Sequence, residues 1–360
     1  MFRREIVIVA ITRQGVETAL KIKKALDKLE LHCTVYVPEK YLREGAVAMD
    51  KKVGDFIREK YAKVDGIIGV MAAGIIIRAV APCLESKLID PAVVAVDAAG
   101  RFAVSLLAGH YGGANHLARL VAEGIGATPV ITTASEAAGK LSVDELACNL
   151  HLTIVNPESL IPVNAAIVDG KRVALILIGD IRIPVKLIRE FTVEKAFDIK
   201  SAIEILSGYD AGAIIFKEPV SNEFAKPVTI LKPKTITVGI GARKNITANQ
   251  LLNAVHSALK RVNIPVERVS CLATVDIKRD SSAINEAAKK LGLNIEFLST
   301  EVLRGFRHPD LSADSQIVTE KIGVGGVCER AALITAGKEA KLLLKKMKMN
   351  GVTVAVAEGE

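Results

Sequence analysis

Aromatic residues and paired cysteines are scarce in this sequence. The 360 residues include no tryptophan, and the aromatic content is only 4%. Proteins that bind single-stranded nucleic acid stack the bases on aromatic side chains, so this composition does not favour such a partner. The five cysteines lie far apart and form no CxxC pair, which indicates neither a thiolate zinc site nor a disulfide framework. We expect buried, reduced thiols.

Long hydrophobic runs are also missing. The longest run, residues 66–77, is cut by Arg78, whereas a membrane-spanning helix needs about 20 apolar residues. The apolar stretch near the N-terminus is too short for the core of a signal peptide, and it predicts a buried first strand instead. We therefore expect a soluble protein of the cytoplasm that has no membrane partner.

Positive charge exceeds negative charge, since 48 lysines and arginines stand against 40 aspartates and glutamates. The formal net charge of +8 favours an anionic partner through long-range attraction. A small polyanion, such as a phosphate ester or a polycarboxylate, fits this surplus at least as well as a nucleic acid does. The alternative is that the lysines only solvate helix faces, and the composition leaves both interpretations open.

The hydrophobic pattern predicts an α/β protein of three parts. In residues 1–140, short apolar runs alternate with amphipathic segments, which indicates a largely parallel sheet covered on both faces. In residues 141–232 the sequence pattern changes to a hairpin signal and short strand-like segments, which predicts a small central α+β region. Residues 233–360 predict a second α/β domain, in which strand and helix patterns alternate again.

Three local signals fix element boundaries in the last two parts. The Asp-Gly pair at 169–170 stands between β-forming residues and predicts a hairpin turn. The sequence TANQ at 247–250 is a capping box and predicts the start of a helix. The Asn-Gly pair at 350–351 predicts a turn that leads into the last strand.

Two of the six histidines lie in one short stretch, AGHYGGANH, which follows an apolar run. His110 and His116 are six positions apart, about 240° around a helix of 3.6 residues per turn. Two metal ligands on one helix share a face only when they are three or four positions apart. The pair therefore cannot chelate a metal from one regular helix, and we expect no metal site.

The same stretch predicts a turn between a strand and a helix, with His110 at the end of the strand. Gly112 and Gly113 allow positive φ and let a ligand approach the backbone, while Asn115 or a neighbour caps the helix. Backbone N–H groups at such a turn favour an anion. His110 is suited there to general acid/base catalysis, but a hydrogen-bonded structural histidine is equally consistent with the spacing.

Polar side chains mark several other strand ends. Asp97 ends a predicted strand, where it is either catalytic or a turn former. Arg78 and Lys87 lie near predicted strands and are suited to holding carboxylates. Thr132 and Thr133 end another strand and offer two hydroxyls at the sheet edge.

The last part contains a glycine motif that invites comparison with dinucleotide-binding loops. In VGIGARKNIT, Gly239 and Gly241 form a GxG pair, but Lys244 stands where the third glycine of GxGxxG should be. No P-loop pattern is present, so the sequence disfavours NAD and ATP. Arg243, at the mouth of a helix, still suits an anion.

Two further patterns follow in the same part. Thr274, Asp276 and Lys278 alternate along the chain, which predicts that they share one face of a strand. In GVGGVCERAAL, Glu329 lies near the start of a predicted helix, where the helix dipole favours a negative charge.

These stretches together resemble the CbiG family. The N-terminal module of that family is similar to residues 65–136, which contain the DP, GHYGGAN and TT elements. The C-terminal module is similar to TVGIGARKNIT, LATVDIKRD and GVGGVCERAAL, which occur in the same order. One position departs from the family, because Ala242 stands where a cysteine is common. A thiol nucleophile is therefore not available at that turn.

The resemblance implies a hydrolase of cobalamin biosynthesis that acts on an anionic cobalt-precorrin. The enzyme would open a ring-A δ-lactone with water and release the methylated bridging carbon as acetaldehyde. Cobalt would arrive inside the substrate, so we expect no cofactor of the protein's own. The resemblance leaves open a homodimer and a hand-over to other corrin-pathway enzymes. The alternative is a non-catalytic escort protein that binds the tetrapyrrole.

Residue chemistry then suggests a division of roles. We predict His110 as the general acid/base and Asp97 as its partner. The glycine turn would supply donors for an oxyanion or a carboxylate, and basic side chains would hold the carboxylate arms of the macrocycle. The residues predicted to bind substrate are Arg78, Lys87, Gly112, Gly113, Asn115, Thr132, Thr133, Gly239, Gly241, Arg243, Thr274, Asp276, Lys278 and Glu329.

Overall fold

Three sheets with helices packed on them organise the chain, which confirms the α/β class. The computed structural model divides into two compact units, Met1–Glu145 and Leu146–Glu360. The first unit contains one seven-stranded sheet, and the second contains two five-stranded sheets. The predicted division into three domains, at residues 140 and 232, stays a prediction. The structure describes residues 2, 4–29, 31–188, 191–220, 224–312 and 325–360.

Short strands and amphipathic helices alternate in the first unit. Its strands are β1 (Ile6–Ala10), β2 (Cys33–Val37), β3 (Ala46–Ala48), β4 (Gly66–Val70), β5 (Ala92–Val96), β6 (Phe102–Leu107) and β7 (Thr128–Val130). Its helices are α1 (Arg13–Asp27), α2 (Val53–Tyr61), α3 (Ala73–Val80), α4 (Ala114–Ile125) and α5 (Ala134–Ala137). A sixth helix, α6 (Val143–Asn149), spans the boundary between the units.

The sheet of the first unit has the order β3-β2-β1-β4-β5-β6-β7. The strands from β3 to β5 are parallel, as predicted, whereas β6 runs antiparallel to β5 and β7 runs parallel to β6. The register pairs Val96 with Ala103 and Val93 with Leu107. The carboxyl end of β6 therefore lies at the sheet edge where β5 begins, opposite the edge where β5 ends.

The central strands of this sheet are nearly continuous apolar runs in the sequence because both faces of the sheet are buried. Every residue of β1, β4 and β5 is buried. Helices α1 and α4 cover one face, with Val16 and Leu117 fully buried, and α2 and α3 cover the other. Burying one such aliphatic side chain contributes roughly 1.5–3 kcal/mol. The apolar stripe of each helix thus determines which face it covers.

The second unit holds two further sheets. The strands of the first are β8 (Leu152–Ile154), β9 (Val173–Ile178), β10 (Thr192–Ala196), β11 (Ala211–Ile215) and β12 (Val228–Pro233), and its helices are α7 (Leu160–Val168) and α8 (Ile199–Leu206). The strands of the second are β13 (Thr235–Ala242), β14 (Cys271–Val275), β15 (Asn294–Leu298), β16 (Lys341–Met349) and β17 (Val352–Gly359). Its helices are α9 (Ala248–Arg261), α10 (Ser282–Leu291), α11 (Thr300–Gly305) and α12 (Val327–Ala336).

One predicted element of the central region is wrong. The hairpin expected around Asp169 does not form, because the residues before it belong to helix α7. Gly170 has a φ of 72° and closes the turn from this helix into β9, a common way for a helix to end. The sheet itself has the order β10-β9-β11-β12-β8, and among the strands that the structure describes in it, only β8 pairs in an antiparallel manner.

The predicted boundaries of the last sheet are confirmed. Thr247 and Gln250 form the expected capping box at the start of α9. Asn350 and Gly351, with φ angles of 46° and 82°, join β16 to β17 in a hairpin. Among the described residues, no helix combines the length and the apolar character that crossing a membrane requires.

Candidate active site

His110 follows β6, in the short loop that leads to helix α4. The loop is held by its own backbone, because the N–H groups of Ala114 and Asn115 donate to the carbonyls of Ala108 and Gly109 at 3.0 and 2.9 Å. Ala108 has a φ of 54°, a conformation that costs a non-glycine residue roughly 1–2 kcal/mol. The strand-to-helix turn predicted from the sequence is therefore present, and it is tightly constrained.

Gly112 and Gly113 are each required in this loop for a different structural reason. Gly113 is the N-cap of α4 and has a φ of 86°. A Cβ at Gly112 would lie 2.9 Å from the carbonyl oxygen of Asp90 and would overlap the Cβ of Ala108. Close packing of the loop against the residues before β5 thus requires glycine. The predicted role of these glycines as substrate donors stays a prediction.

The imidazole of His110 has a hydrogen-bond partner at each ring nitrogen. Nδ1 lies 3.1 Å from Oδ2 of Asp144 and 3.0 Å from Oγ of Ser142. Nε2 lies 3.1 Å from Oγ of Ser135. The side chains of His110 and Asp144 are 12% and 4% exposed. The imidazole is therefore oriented by a buried carboxylate and faces a hydroxyl on its other side.

Neighbouring charges change the acidity of this cluster. Burial by itself would lower the pKa of His110, but the hydrogen bond and charge of Asp144 outweigh it and raise that pKa above its usual value. The charges of Glu145 and Glu136 add to this rise. Burial raises the pKa of Glu145, and the charge of Glu136 acts in the same direction. Arg119 pairs with Glu136 at 2.5 Å.

Asp97 is not the carboxylate that contacts His110, which corrects the predicted pairing. The antiparallel β5–β6 pair places Asp97 and His110 at opposite edges of the sheet. The Asp97 carboxylate accepts hydrogen bonds from the N–H groups of Arg101 and Phe102 at 2.7 and 2.8 Å. Burial raises the pKa of Asp97, but these bonds outweigh it and lower the pKa overall. Asp97 thus forms the turn between the two strands.

A cavity of about 490 Å³ lies at the sheet edge where Asp97 stands. It opens at the carboxyl ends of β1, β4 and β5, where Thr12, Ala72 and Asp97 line it. Ligands of parallel sheets bind at such edges. Apolar side chains, including Met71 and Val104, form much of its wall. The first unit therefore presents two separate features, this cavity and the His110 cluster, on opposite edges of one sheet.

Asn115 joins the His110 loop to the loop after β7. Its side-chain oxygen accepts a 2.8 Å hydrogen bond from Ser105, and its Nδ2 donates to Oγ1 of Thr133 at 3.3 Å. Asn115 does not cap helix α4, because Gly113 takes that position. Thr132 is exposed beside Thr133. The structure therefore brings the GGAN and TT elements together, as a hydrogen-bonded support for the loop.

The two basic residues predicted to hold carboxylates are both exposed. Nη1 of Arg78 donates to the carbonyl of Gly74, one turn earlier in α3, at 3.0 Å. Lys87 lies in the loop before β5, and that loop also carries Asp90, which approaches Gly112. Lys87 is therefore on the same sheet edge as His110, and its proposed contact with substrate stays a prediction.

The glycines of the C-terminal motif serve close packing. A Cβ at Gly239 would overlap the carbonyl of Cys328, because helix α12 crosses strand β13 at this point. A Cβ at Gly241 would overlap Oγ1 of Thr353. Arg243 is exposed, and its N–H donates to the carbonyl of Gly351 at 3.1 Å. Arg243 and the adjacent Lys244 both offer exposed charged side chains at this motif.

The alternating residues after β14 do not share a strand face as predicted. Strand β14 ends at Val275, and Asp276 and Lys278 lie in a turn of 3₁₀ helix. Thr274 is buried, and its hydroxyl donates to the carbonyl of Ile240 at 2.8 Å. Only Thr274 of these three residues belongs to the strand, because the regular alternation of a strand ends before Asp276.

Glu329 is fully buried, and its carboxylate accepts hydrogen bonds from other residues of the unit. The donors are the N–H and hydroxyl of Ser312, at 3.0 and 2.7 Å, and the N–H of Lys346, at 2.8 Å. These hydrogen bonds connect helix α12 to Ser312 and to strand β16, and a substrate role for Glu329 stays a prediction. The first residues of the GVGG motif, 323 and 324, lie outside the described residues.

Reasoning from the sequence missed the three residues that contact the His110 ring. Ser142 begins an S-x-x-E pattern, and its Oγ accepts from the N–H of Glu145 at 3.2 Å. That pattern is a signal for a helix start, which places Asp144 in the first turn. No sequence signal connects this helix to a histidine 34 positions earlier. In the described residues, no group of three or more His, Cys, Asp or Glu side chains could hold a metal.

Models of known protein families match both the N-terminal and the C-terminal part of the chain. The family model "Cobalamin synthesis G N-terminal" matches residues 55–136, and "Cobalamin synthesis G C-terminus" matches residues 236–357. A cobalt-precorrin-5A hydrolase from Priestia megaterium is 27% identical over 364 residues, which cover 99% of this chain and 95% of that protein.

Two further relatives span nearly the full length. A probable cobalt-precorrin-5A hydrolase from Methanocaldococcus jannaschii is 30% identical over 359 residues, covering 97% of this chain and 98% of that protein. The crystal structure of a cobalamin biosynthesis protein G homolog from Sulfolobus solfataricus has a TM-score of 0.53 and 25% identity, covering 100% and 98% of the two chains. On these grounds the chain belongs to the CbiG family.

Proposed function

We propose that this protein is a cobalt-precorrin-5A hydrolase that works in the cytoplasm. The observation that carries the proposal is the length of the similarity, since relatives bearing this name align with 97–99% of the chain. A similarity of this extent covers both units, so it supports carrying over an activity that depends on the whole chain. A match to one module alone would support binding only.

The reaction would consume one water and release one acetaldehyde. An oxygen nucleophile attacks the carbonyl of the ring-A δ-lactone, and the bond from the acyl carbon to the ring oxygen breaks. The methylated bridging carbon, which then carries a hydroxyl, leaves as acetaldehyde. Its two bonds to the ring break, the two ring carbons that it joined bond to each other, its C–O bond becomes the carbonyl, and the hydroxyl proton is replaced by a proton on carbon, so the macrocycle contracts with no change in overall oxidation state. Such a reaction requires a base for the attacking oxygen and donors for the oxyanion.

The His110 cluster has the chemistry for the first requirement. With the proton on Nδ1 directed at Asp144, Nε2 is the basic nitrogen and can accept a proton from the attacking oxygen. The carboxylate of Asp144 then stabilises the imidazolium. General-base catalysis of this kind contributes typically about 10²- to 10⁴-fold to a rate.

Binding would rest on charge. The peripheral acetates and propionates of a cobalt-precorrin are anionic, and the formal net charge of the chain is +8. Lys87, exposed on the same edge as His110, would hold one carboxylate arm, and Arg78 and Arg243 are exposed candidates for others. Cobalt would enter and leave inside the substrate, without a cofactor of the protein's own.

Acetaldehyde release tests this proposal against the escort alternative. The purified protein is incubated anaerobically with cobalt-precorrin-5A, and acetaldehyde and corrinoid are quantified by mass spectrometry. A hydrolase yields one acetaldehyde per corrinoid, and the product is lighter by the mass of acetaldehyde less that of one water. Binding of the corrinoid without any acetaldehyde would instead identify an escort protein.

A further inference from the structure

Three side chains from separate segments form a hydrogen-bonded series through His110. Ser135, at the second position of α5, places its Oγ 3.1 Å from Nε2, and Asp144 places its Oδ2 3.1 Å from Nδ1. A hydroxyl, an imidazole and a buried carboxylate in this order are the groups of a serine hydrolase triad. Such triads are identified by geometry and roles, because their order in the sequence varies between folds.

Structural support for the ring does not require the buried carboxylate. Ser142 also contacts Nδ1, at 3.0 Å, and a hydroxyl there satisfies a neutral imidazole. The side chain of Asp144 is only 4% exposed, and removing a carboxylate from water is costly unless it is paired. The negative charge is placed where an imidazolium would form, which stabilises the state that follows proton transfer from Ser135.

We infer that Ser135 is the nucleophile that opens the lactone, with His110 as its base and Asp144 as the group that orients and stabilises the base. This inference rests on the proposed hydrolase function and names the oxygen that attacks. The C-terminal glycine turn carries Ala242 directly after its GxG pair, so this turn offers no thiol for the same task. A serine with an adjacent base is the corresponding oxygen nucleophile.

The steps balance without an oxidant or a reductant. Oγ of Ser135 bonds to the lactone carbonyl carbon while its proton moves to Nε2 of His110. The bond from the acyl carbon to the ring oxygen then breaks, and His110 returns the proton to that oxygen. The products are an ester on Ser135 and a hydroxyl on the bridging carbon. Water, deprotonated by His110, next hydrolyses the ester and regenerates the serine.

Two serines that contact the same ring provide a matched pair of variants. Ser135→Ala removes the nucleophile, and we expect kcat to fall on the order of 10³-fold or more, with corrinoid binding retained. Ser142→Ala removes a contact at the other nitrogen, and we expect a loss at least about tenfold smaller. Near-UV circular dichroism checks folding. A Ser135→Ala protein that keeps more than about a tenth of wild-type acetaldehyde release would overturn the inference.

An alkyl fluorophosphonate, which labels activated serines, tests the nucleophile without the corrinoid. We expect one phosphonyl group on Ser135, identified by peptide mass spectrometry, and no label on the His110→Ala protein. If the wild-type protein releases no acetaldehyde, the hydrolase proposal fails, and labelling then decides only whether Ser135 is an activated nucleophile. Absence of label, or equal losses of activity in the two serine variants, would show that Ser135 only supports the ring.

Discussion

Oδ2 of Asp144 lies 3.1 Å from Nδ1 of His110, although the two residues are 34 positions apart in the chain. Both side chains are almost completely buried. The contact forms because the loop after β6 lies next to the start of helix α6. Ser142, just before this helix, and Asp144, in its first turn, both approach the imidazole ring. Asp144 thus orients the imidazole and makes the largest contribution to raising the pKa of His110.

The Asp144→Asn variant should change both the rate and its pH dependence. His110 acts as a base only when neutral, so activity falls as the pH drops through its raised pKa. Removing the negative charge lowers that pKa, and we expect the acidic limb of kcat/KM to move to lower pH. We also expect kcat to fall at least about 10²-fold, because the imidazolium loses its stabilisation.

Glu145→Gln is the matched control for this variant. Glu145 raises the pKa of His110 through charge alone, whereas Asp144 also accepts a hydrogen bond from it. We expect a smaller shift of the acidic limb and a kcat within about tenfold of the wild-type value. Identical pH profiles for Asp144→Asn and the wild-type protein would refute the role given to Asp144.

The Gly112→Ala variant should destabilise the first unit. The added Cβ would overlap Ala108 and would lie 2.9 Å from the Asp90 carbonyl, so the loop must shift. We expect the free energy of unfolding to fall by about 1–3 kcal/mol in urea titrations. Gly54→Ala is the control, because the nearest atom to its Cβ is the flexible end of Arg58 at 3.5 Å. Equal stability of both variants would contradict the packing argument.

Gly239→Ala should destabilise the second unit more strongly. Its Cβ would meet backbone atoms of helix α12, at Cys328 and Ala332, which cannot move as a side chain can. We expect a loss of about 3 kcal/mol or more, measured by chemical denaturation. Gly305→Ala, where no atom lies within 4 Å of the added Cβ, should change stability by less than about 1 kcal/mol. A tolerated Gly239→Ala would show that the motif serves another purpose.

Local signals predicted local structure well. The capping box at Thr247 and the Asn350-Gly351 turn depend on residues adjacent in the chain, and both appear as expected. The hairpin predicted at Asp169-Gly170 was wrong, because an Asp-Gly pair also occurs where helices end. In addition, the apolar residues before the pair suit a buried helix as well as a strand. Short apolar runs are ambiguous in this way.

Strand direction was the larger difficulty for predicting the site. The five residues between β5 and β6 include Gly100, whose φ is 70°, and this is the signal of a hairpin. Treating both strands as parallel placed Asp97 and His110 at one edge, whereas they lie at opposite edges. Asp144 could not be identified from the sequence, because its contact with His110 depends on tertiary packing and not on spacing.

The most direct test of the account compares His110→Ala with His116→Ala in anaerobic acetaldehyde release from cobalt-precorrin-5A. His116 is an imidazole of the same segment that stacks on Phe2, at 6.4 Å between ring centroids. We expect His110→Ala to lose at least about 10²-fold in kcat and His116→Ala to stay within about tenfold of the wild-type protein. Unchanged acetaldehyde release by His110→Ala would contradict the assignment of His110 as the catalytic base.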